Sequence, residues 1–263
     1  MKIVTWNCQG GFREKFKHIE LLDADIYVIQ ECTDPEASKD TKYKDYYEFA
    51  QEGDYYWIGD EPSEEVKSPK GLGIFVKNGI ETELKSNFYD DFKFFQLIRV
   101  KNSFNLMGVW AMPKYVEMIH DFFDANEELF NENLIMCGDF NSNQRFNYKH
   151  TKKDENGNAK NHTNLDEKLK GNGLYSVYHK LVNETNGKES RFTFFQAKHL
   201  NYPFYLDYVY AGEKIIDKTE LRALYKREHD NIPNKFEILD YYEWVKISDH
   251  LPVVFEIDET LFV

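Results

Sequence analysis

Five apolar runs in this chain share one design, and that design constrains the fold more than any other feature. "KIVTWN" ends at Asn7, "DIYVIQE" at Glu31, "NLIMCGDFN" at Asp139 and Asn141, and "WVKISDH" at Asp249 and His250, while "YPFYLDYVYA" carries Asp207 inside the run. The β-branched and aromatic content of these runs predicts buried strands. A lone carboxylate in such surroundings is costly unless a cation or hydrogen-bond donors compensate it. Convergence of the five runs on one site removes the cost.

Between these runs lie helical patterns. "FREKFKHIELL" places Phe12, Phe16, Ile19 and Leu22 near one face, and "PKYVEMIHDFFDANEELF" carries Val116, Ile119, Phe123 and Phe130 behind Pro113 at an expected first helical position. Further strands are expected at 71–77, 94–101, 104–111 and 191–195. Strands outnumber helices and several are consecutive, which favours stacked sheets with outer helices over an alternating parallel sheet. With no repeat, linker or low-complexity tract, the 263 residues are expected to form a single domain, 1–263.

A hydrophobic fraction of 41%, with 21 Phe and 18 Tyr, excludes a disordered chain. The apolar stretches are strand-sized, and "MKIVTWN" lacks the regions of a signal peptide, so a soluble, cytoplasmic protein without membrane insertion, and a monomer, is expected. Cys8, Cys32 and Cys137 have no zinc spacing and read as reduced packing residues. The net charge of −13 argues against strong non-specific binding to a polyanion but not against a phosphate substrate, because a bound divalent cation can supply the missing positive charge.

Each polar motif taken alone has a plain structural explanation as a turn, a strand end or a helix cap. Together they supply three or four carboxylates, two asparagines and one histidine, which is what a hard-cation phosphoryl-transfer site needs. Oxygen ligands suit magnesium, with manganese as a substitute, and the lack of a His/Cys cluster argues against zinc.

In order and content, Trp6-Asn7, Gln30-Glu31, Gly138-Asp139-Phe140-Asn141, Leu206-Asp207-Tyr208 and Ser248-Asp249-His250 resemble the motif series of the endonuclease/exonuclease/phosphatase superfamily. That family includes deoxyribonuclease I-like and exonuclease III-type nucleases, tyrosyl-DNA phosphodiesterases, inositol polyphosphate 5-phosphatases and neutral sphingomyelinases. "GLGIFV" at 71–76 and "FTFF" at 192–195 are weaker echoes. The resemblance implies an α/β (α+β) four-layer sandwich, two mostly antiparallel sheets packed face to face with helices on the outer faces.

It also implies roles. Glu31 would be the principal magnesium ligand, with Asn7 and Asp249 completing the coordination. Asp139 would orient or deprotonate the attacking water, and Asn141 would hold the phosphate or Asp139 in register. His250 would stabilise the transition-state charge, paired with Asp207. Two positions depart from the pattern: Trp110 stands where relatives carry a phosphate-touching Tyr or His, and Gln9 where some apurinic endonucleases carry Asp. Trp110 donates one hydrogen bond but transfers no proton at neutral pH.

The expected activity is hydrolysis of a phosphodiester by a magnesium-dependent endonuclease or exonuclease acting on DNA. The segment 142–162 holds five Lys/Arg against two acids, and its Arg145, Lys149, Lys152 and Lys153, interleaved with Phe146 and Tyr148, are candidate substrate contacts. The alternatives are a phosphatase or phosphodiesterase of a small or lipid-linked phosphoester and, more remotely, a catalytically silent binding module.

Overall fold

In the computed structural model, which describes residues 1–60, 62–63, 66, 69–86, 88, 92–216, 236–239 and 241–257, the apolar runs become the strands of two sheets. The chain runs β1 (Lys2–Asn7), α1 (Phe12–Glu20), β2 (Ile26–Thr33), α2 (Lys44–Ala50), β3 (Tyr55–Gly59), β4 (Lys70–Val76), β5 (Thr82–Ser86), β6 (Phe95–Val100), β7 (Phe104–Trp110) and α3 (Val116–Ala125). It continues through β8 (Leu134–Asp139), α4 (His162–Gly171), β9 (Leu174–Ser176), α5 (Val177–Val182), β10 (Phe194–Phe195), β11 (Pro203–Phe204), β12 (Asp207–Gly212), α6 (Glu213–Ile216), β13 (Phe236–Ile238), α7 (Tyr241–Trp244) and β14 (Val253–Glu256).

One sheet has the order β13-β14-β1-β2-β4-β3, the other β5-β6-β7-β8-β12-β9, and β10-β11 form a short ribbon. β1 pairs in parallel with β2, and β7 with β8; the remaining pairs are antiparallel. This is the mostly antiparallel pair of sheets that the family resemblance implied.

The period of two sorts side chains between layers. Ile3, Ile26 and Val28 enter the core shared with the second sheet, while Val4, Trp6, Tyr27 and Ile29 turn outward to α1 and α2. On that outer face Phe12, Phe16 and Ile19 of α1 meet Tyr46 and Phe49 of α2 and Phe75 of β4. Burying each of these α1 side chains contributes about 1.5–3 kcal/mol. On the opposite face Phe122 of α3 stacks on Phe95 of β6 at 4.5 Å.

Two glycines let backbones come close. Across the sheets, a Cβ on Gly108 would lie 3.0 Å from Val28 Cγ1. Gly138, at φ 145°, brings β8 so near β7 that a Cβ would sit 1.9 Å from the Val109 carbonyl oxygen. That close approach immediately precedes Asp139.

Several local expectations change. Pro113 does not open α3; it follows a cis peptide in a turn, and the helix starts at Val116. Val116, Ile119, Phe123 and Phe130 are nonetheless buried as expected. In "WVKISDH" Trp244 closes α7 and the rest is a turn in which Ser248 reaches back to the end of β1, so the strand begins only after the motif. "RFTFF" contributes only the two residues of β10. Among the described residues no helix is long and apolar enough to cross a membrane.

Candidate active site

The strand ends of the two sheets meet at one edge of the sandwich. Asn7 closes β1, Asp139 closes β8, and Asp207 opens β12 directly opposite Asp139 in the antiparallel register. Asp207 therefore sits at the strand end rather than within the strand. Asn7 joins the sheets: its Nδ2 donates to Asp139 Oδ2 at 2.8 Å and to Glu31 Oε1 at 3.2 Å, while its Oδ1 accepts from the Gln9 amide at 2.9 Å.

Glu31 does not end its strand. It occupies a bulge, where the register against β4 shifts between Gln30 and Cys32, with φ at 60°. A bulge re-aims one side chain out of the pleat, and the left-handed backbone of a non-glycine residue costs about 1–3 kcal/mol. The carboxylate thereby reaches the strand-end cluster, where Lys70 pairs with it.

Asp139 is held from both sides. Its Oδ1 accepts from the Asn141 amide at 2.8 Å, and its Oδ2 from Asn141 Nδ2 at 2.8 Å. Burial raises its pKa; His250 opposes this, while Asp207 adds to it. His250 Nδ1 donates to Asp207 Oδ2 at 2.8 Å, leaving Nε2 4.0 Å from Asp139 Oδ2. Burial works against the imidazolium, but Asp207 and then Asp139 outweigh it and raise the pKa. Asp249, beside them, is also raised, first by burial and also by Glu31.

Side chains that sequence reasoning passed over hold these groups. Ser248 Oγ donates to the Asn7 carbonyl at 2.7 Å and accepts from the His250 amide at 3.1 Å, and Trp6 Nε1 donates to the His250 carbonyl at 3.0 Å. Thr193 Oγ1 accepts from the amides of Leu206 and Asp207 at 2.9 and 3.0 Å. Thr193 belongs to the "FTFF" echo and Ser248 to the "SDH" triplet, so both had a signal in the sequence.

His162 had none. Its Nε2 accepts from Asn186 Nδ2 at 2.7 Å and its Nδ1 donates to Ser142 Oγ at 2.8 Å, which anchors the loop that follows Asn141. A second proton would set N–H against N–H, and burial above all, with His179, pushes the pKa from 6.5 down to about 3. The unfolded chain takes up that proton near its ordinary pKa and the folded chain only far below it. Stability should therefore fall as pH drops through this window, by about 1.4 kcal/mol per pH unit. Urea midpoints at about pH 7 and about pH 5 measure the loss, and in His162→Gln this part of the pH dependence should vanish.

The structure gives the expected substrate residues different surroundings. Trp110 ends β7 beside Asp139 in the parallel register, its ring 4.5 Å from Phe94 and its buried Nε1 without a hydrogen-bond partner. Arg145 donates to the Gly187 carbonyl at 2.8 Å and Lys152 pairs with Glu117 at 2.8 Å. Lys149 lies over the Phe146 ring at 5.1 Å, and the Lys153 backbone forms an antiparallel bridge with Ala159. The Phe146 ring packs at a tilt against Phe204 at 4.9 Å, Phe204 stacks on Phe194 at 6.4 Å, and Phe194 packs at a tilt against His250 at 4.6 Å. An aromatic row thus leads from the histidine to the 144–149 loop.

Among the described residues, Asp139, Asp207 and His250 form the group whose ligand atoms lie within 4.8 Å of one another. Asp207 and His250 already satisfy each other, whereas Glu31, Asp249 and Asn7 offer oxygen donors of the kind a hard divalent cation takes. The carboxylates of Glu31 and Asp249 suit such an ion chemically, while Asn7 turns Nδ2 rather than Oδ1 toward Glu31.

A model of the endonuclease/exonuclease/phosphatase family matches residues 4–250. The chain belongs to that family. With it comes the enzyme class, hydrolysis of phosphoester bonds. Similar solved structures share the fold. An AP endonuclease from Archaeoglobus fulgidus is 15% identical, with 98% of this chain and 99% of that one covered and a TM-score of 0.63. A 3′ phosphatase, NExo, from Neisseria bound to product DNA hairpin is 16% identical, with 98% and 99% covered and a TM-score of 0.61. D. rerio TDP2 complexed with single-strand DNA product is 12% identical, with 98% of each covered and a TM-score of 0.57. No curated protein is significantly similar to this family member in sequence.

Proposed function

We propose that this family member is a magnesium-dependent phosphodiesterase acting on DNA. The observation that carries the reading is the pairing of Asp139 with a His250 whose far nitrogen is held by Asp207. The carboxylate oxygen and the free imidazole nitrogen face each other at 4.0 Å, an acceptor and a donor on one reacting centre.

Asp139, oriented by Asn7 and Asn141, takes a proton from water as the water oxygen bonds to phosphorus. The P–O ester bond breaks and its electron pair leaves with the alcohol oxygen, which is protonated from solvent. His250 Nε2 donates to a non-bridging oxygen as negative charge builds there. Trp110, beside Asp139 in the parallel register, is a further residue proposed to contact that phosphate. Glu31, Asp249 and Asn7 would hold a divalent ion, which would supply charge neutralisation at the phosphate.

DNA is favoured over other phosphoesters by the row His250, Phe194, Phe204 and Phe146, because aromatic faces stack on bases of any sequence. Tyr148 and Tyr202, 73% and 60% exposed, extend this surface. One sandwich core shared by both sheets supports reading the chain as a single unit.

The test is hydrolysis of DNA oligonucleotides, inositol phosphates and bis(p-nitrophenyl) phosphate with and without magnesium. Chelation should abolish activity and manganese should restore it. Glu31→Gln should weaken Mn2+ binding by calorimetric titration with an unchanged circular-dichroism spectrum. Cleavage of inositol or lipid phosphoesters without cleavage of DNA would move the assignment to a phosphatase, and unchanged Mn2+ binding would remove Glu31 from the metal set.

A further inference from the structure

Against a formal charge of −13, lysines gather at the rim beside Glu31 and Asp249. Three lysines reach this rim from three separate elements. Lys15 of α1 donates to the Cys8 carbonyl at 2.6 Å, one residue after Asn7. Lys70, the first residue of β4, pairs with Glu31, and its chain lies so close to Gly10 that a Cβ there would be 2.9 Å from Lys70 Cε. Lys198, at the tip of the β10–β11 ribbon, donates to the carbonyls of Lys246 and Ile247 at 3.2 and 3.3 Å, just before Ser248 and Asp249.

Their mutual influence agrees with this geometry. The Lys15 ammonium is held below its ordinary range by burial first and by Lys198, against the pull of Asp249 and Glu31. Lys15, Glu31 and Lys70 all act on the Cys8 thiol. Ala197 and Lys198 adopt φ values of 51° and 62°, two successive non-glycine residues in the left-handed region. Such strain persists only where the surroundings over-determine the backbone. The ribbon tip that presents Lys198 is therefore held in place.

Three ammonium groups thus stand beside Glu31 and Asp249, the two carboxylates proposed above to hold a cation.

We propose that Lys15, Lys70 and Lys198 form a subsite for a phosphate group that the substrate carries in addition to the scissile phosphoester. The inference rests on the phosphodiesterase reading and deepens it. Lysines serve as point-charge phosphate ligands, and Lys70, 50% exposed, can exchange its carboxylate partner for a phosphate oxygen. The extra phosphate is either the next one along a polynucleotide backbone or a second one on a small phosphorylated molecule.

The test compares wild type with the combined Lys15→Gln, Lys70→Gln and Lys198→Gln variant. Calorimetry with adenosine 5′-monophosphate and adenosine 3′,5′-bisphosphate, in magnesium, reads the subsite without turnover. Wild type should bind the bisphosphate about tenfold or more tightly than the monophosphate, and the variant should lose that preference. Equal binding of the two by wild type, or an unchanged preference in the variant, overturns the proposal. The Lys70→Gln, Lys198→Gln double variant, altering two exposed side chains, gives the same reading if the triple variant fails to fold.

Kinetic arms identify the source: the kcat/KM ratio of a 5′-phosphorylated dinucleotide to bis(p-nitrophenyl) phosphate, and of an inositol bisphosphate to an inositol monophosphate. A ratio that falls in the variant only for the first pair assigns a backbone phosphate, and only for the second a small molecule. If wild type cleaves none of these, the phosphodiesterase reading fails while the calorimetric preference still decides the subsite.

Discussion

Replacing His250 with alanine should lower kcat by a factor of about 10² to 10³, with a smaller effect on KM, because a donor aimed at developing charge acts mainly in the transition state. The residue is prepared for this from every side. Asp207 accepts from Nδ1 at 2.8 Å, the Phe194 ring lies 4.6 Å away, and the backbone is fastened by Ser248 and Trp6. Asp207→Asn should reproduce part of the loss, since an amide can offer a donor where the imidazole needs an acceptor. The two losses should be non-additive in the double mutant, because both residues serve one hydrogen bond to the phosphate. Full additivity in steady-state kinetics would show that the pair does not act as a unit.

Asp139→Asn should reduce kcat by a factor of about 10² to 10⁴, the range for loss of a positioned base. The substitution keeps the volume but turns an amide toward Asn7 Nδ2 and Asn141 Nδ2, both donors that now meet Asp139 Oδ2. Water is then neither deprotonated nor held in line. Mn2+ titration should still detect binding through Glu31, which separates a lost base from a lost ion. A single-turnover rate within a few-fold of wild type would exclude Asp139 as the base.

The candidate site residues are legible in the order of amino acids, because each of them is written at or near the end of an apolar run. A carboxylate such as Asp139 stands out after "LIMCG", whereas β1 and β2 are apolar on both faces and only the structure tells which side chains face the second sheet. Boundaries are less legible. Pro113 suits a helix start and occupies a turn, and "WVKISDH" has strand-like composition but must bend so that Ser248 can bond the Asn7 carbonyl.

By itself the sequence determined the strand-ending polar set, the layered fold that set requires and the family to which the chain belongs. Tertiary structure alone decided that Glu31 bulges out of a continuing strand, that His162 secures the Asn141 loop, and that Lys15, Lys70 and Lys198 rather than the lysine-rich loop border the carboxylates. The physical reason is range. Periodicity and turn preference act over a few residues, whereas ion pairs and buried hydrogen bonds join groups far apart in the chain, and only the closed sandwich sets their distances.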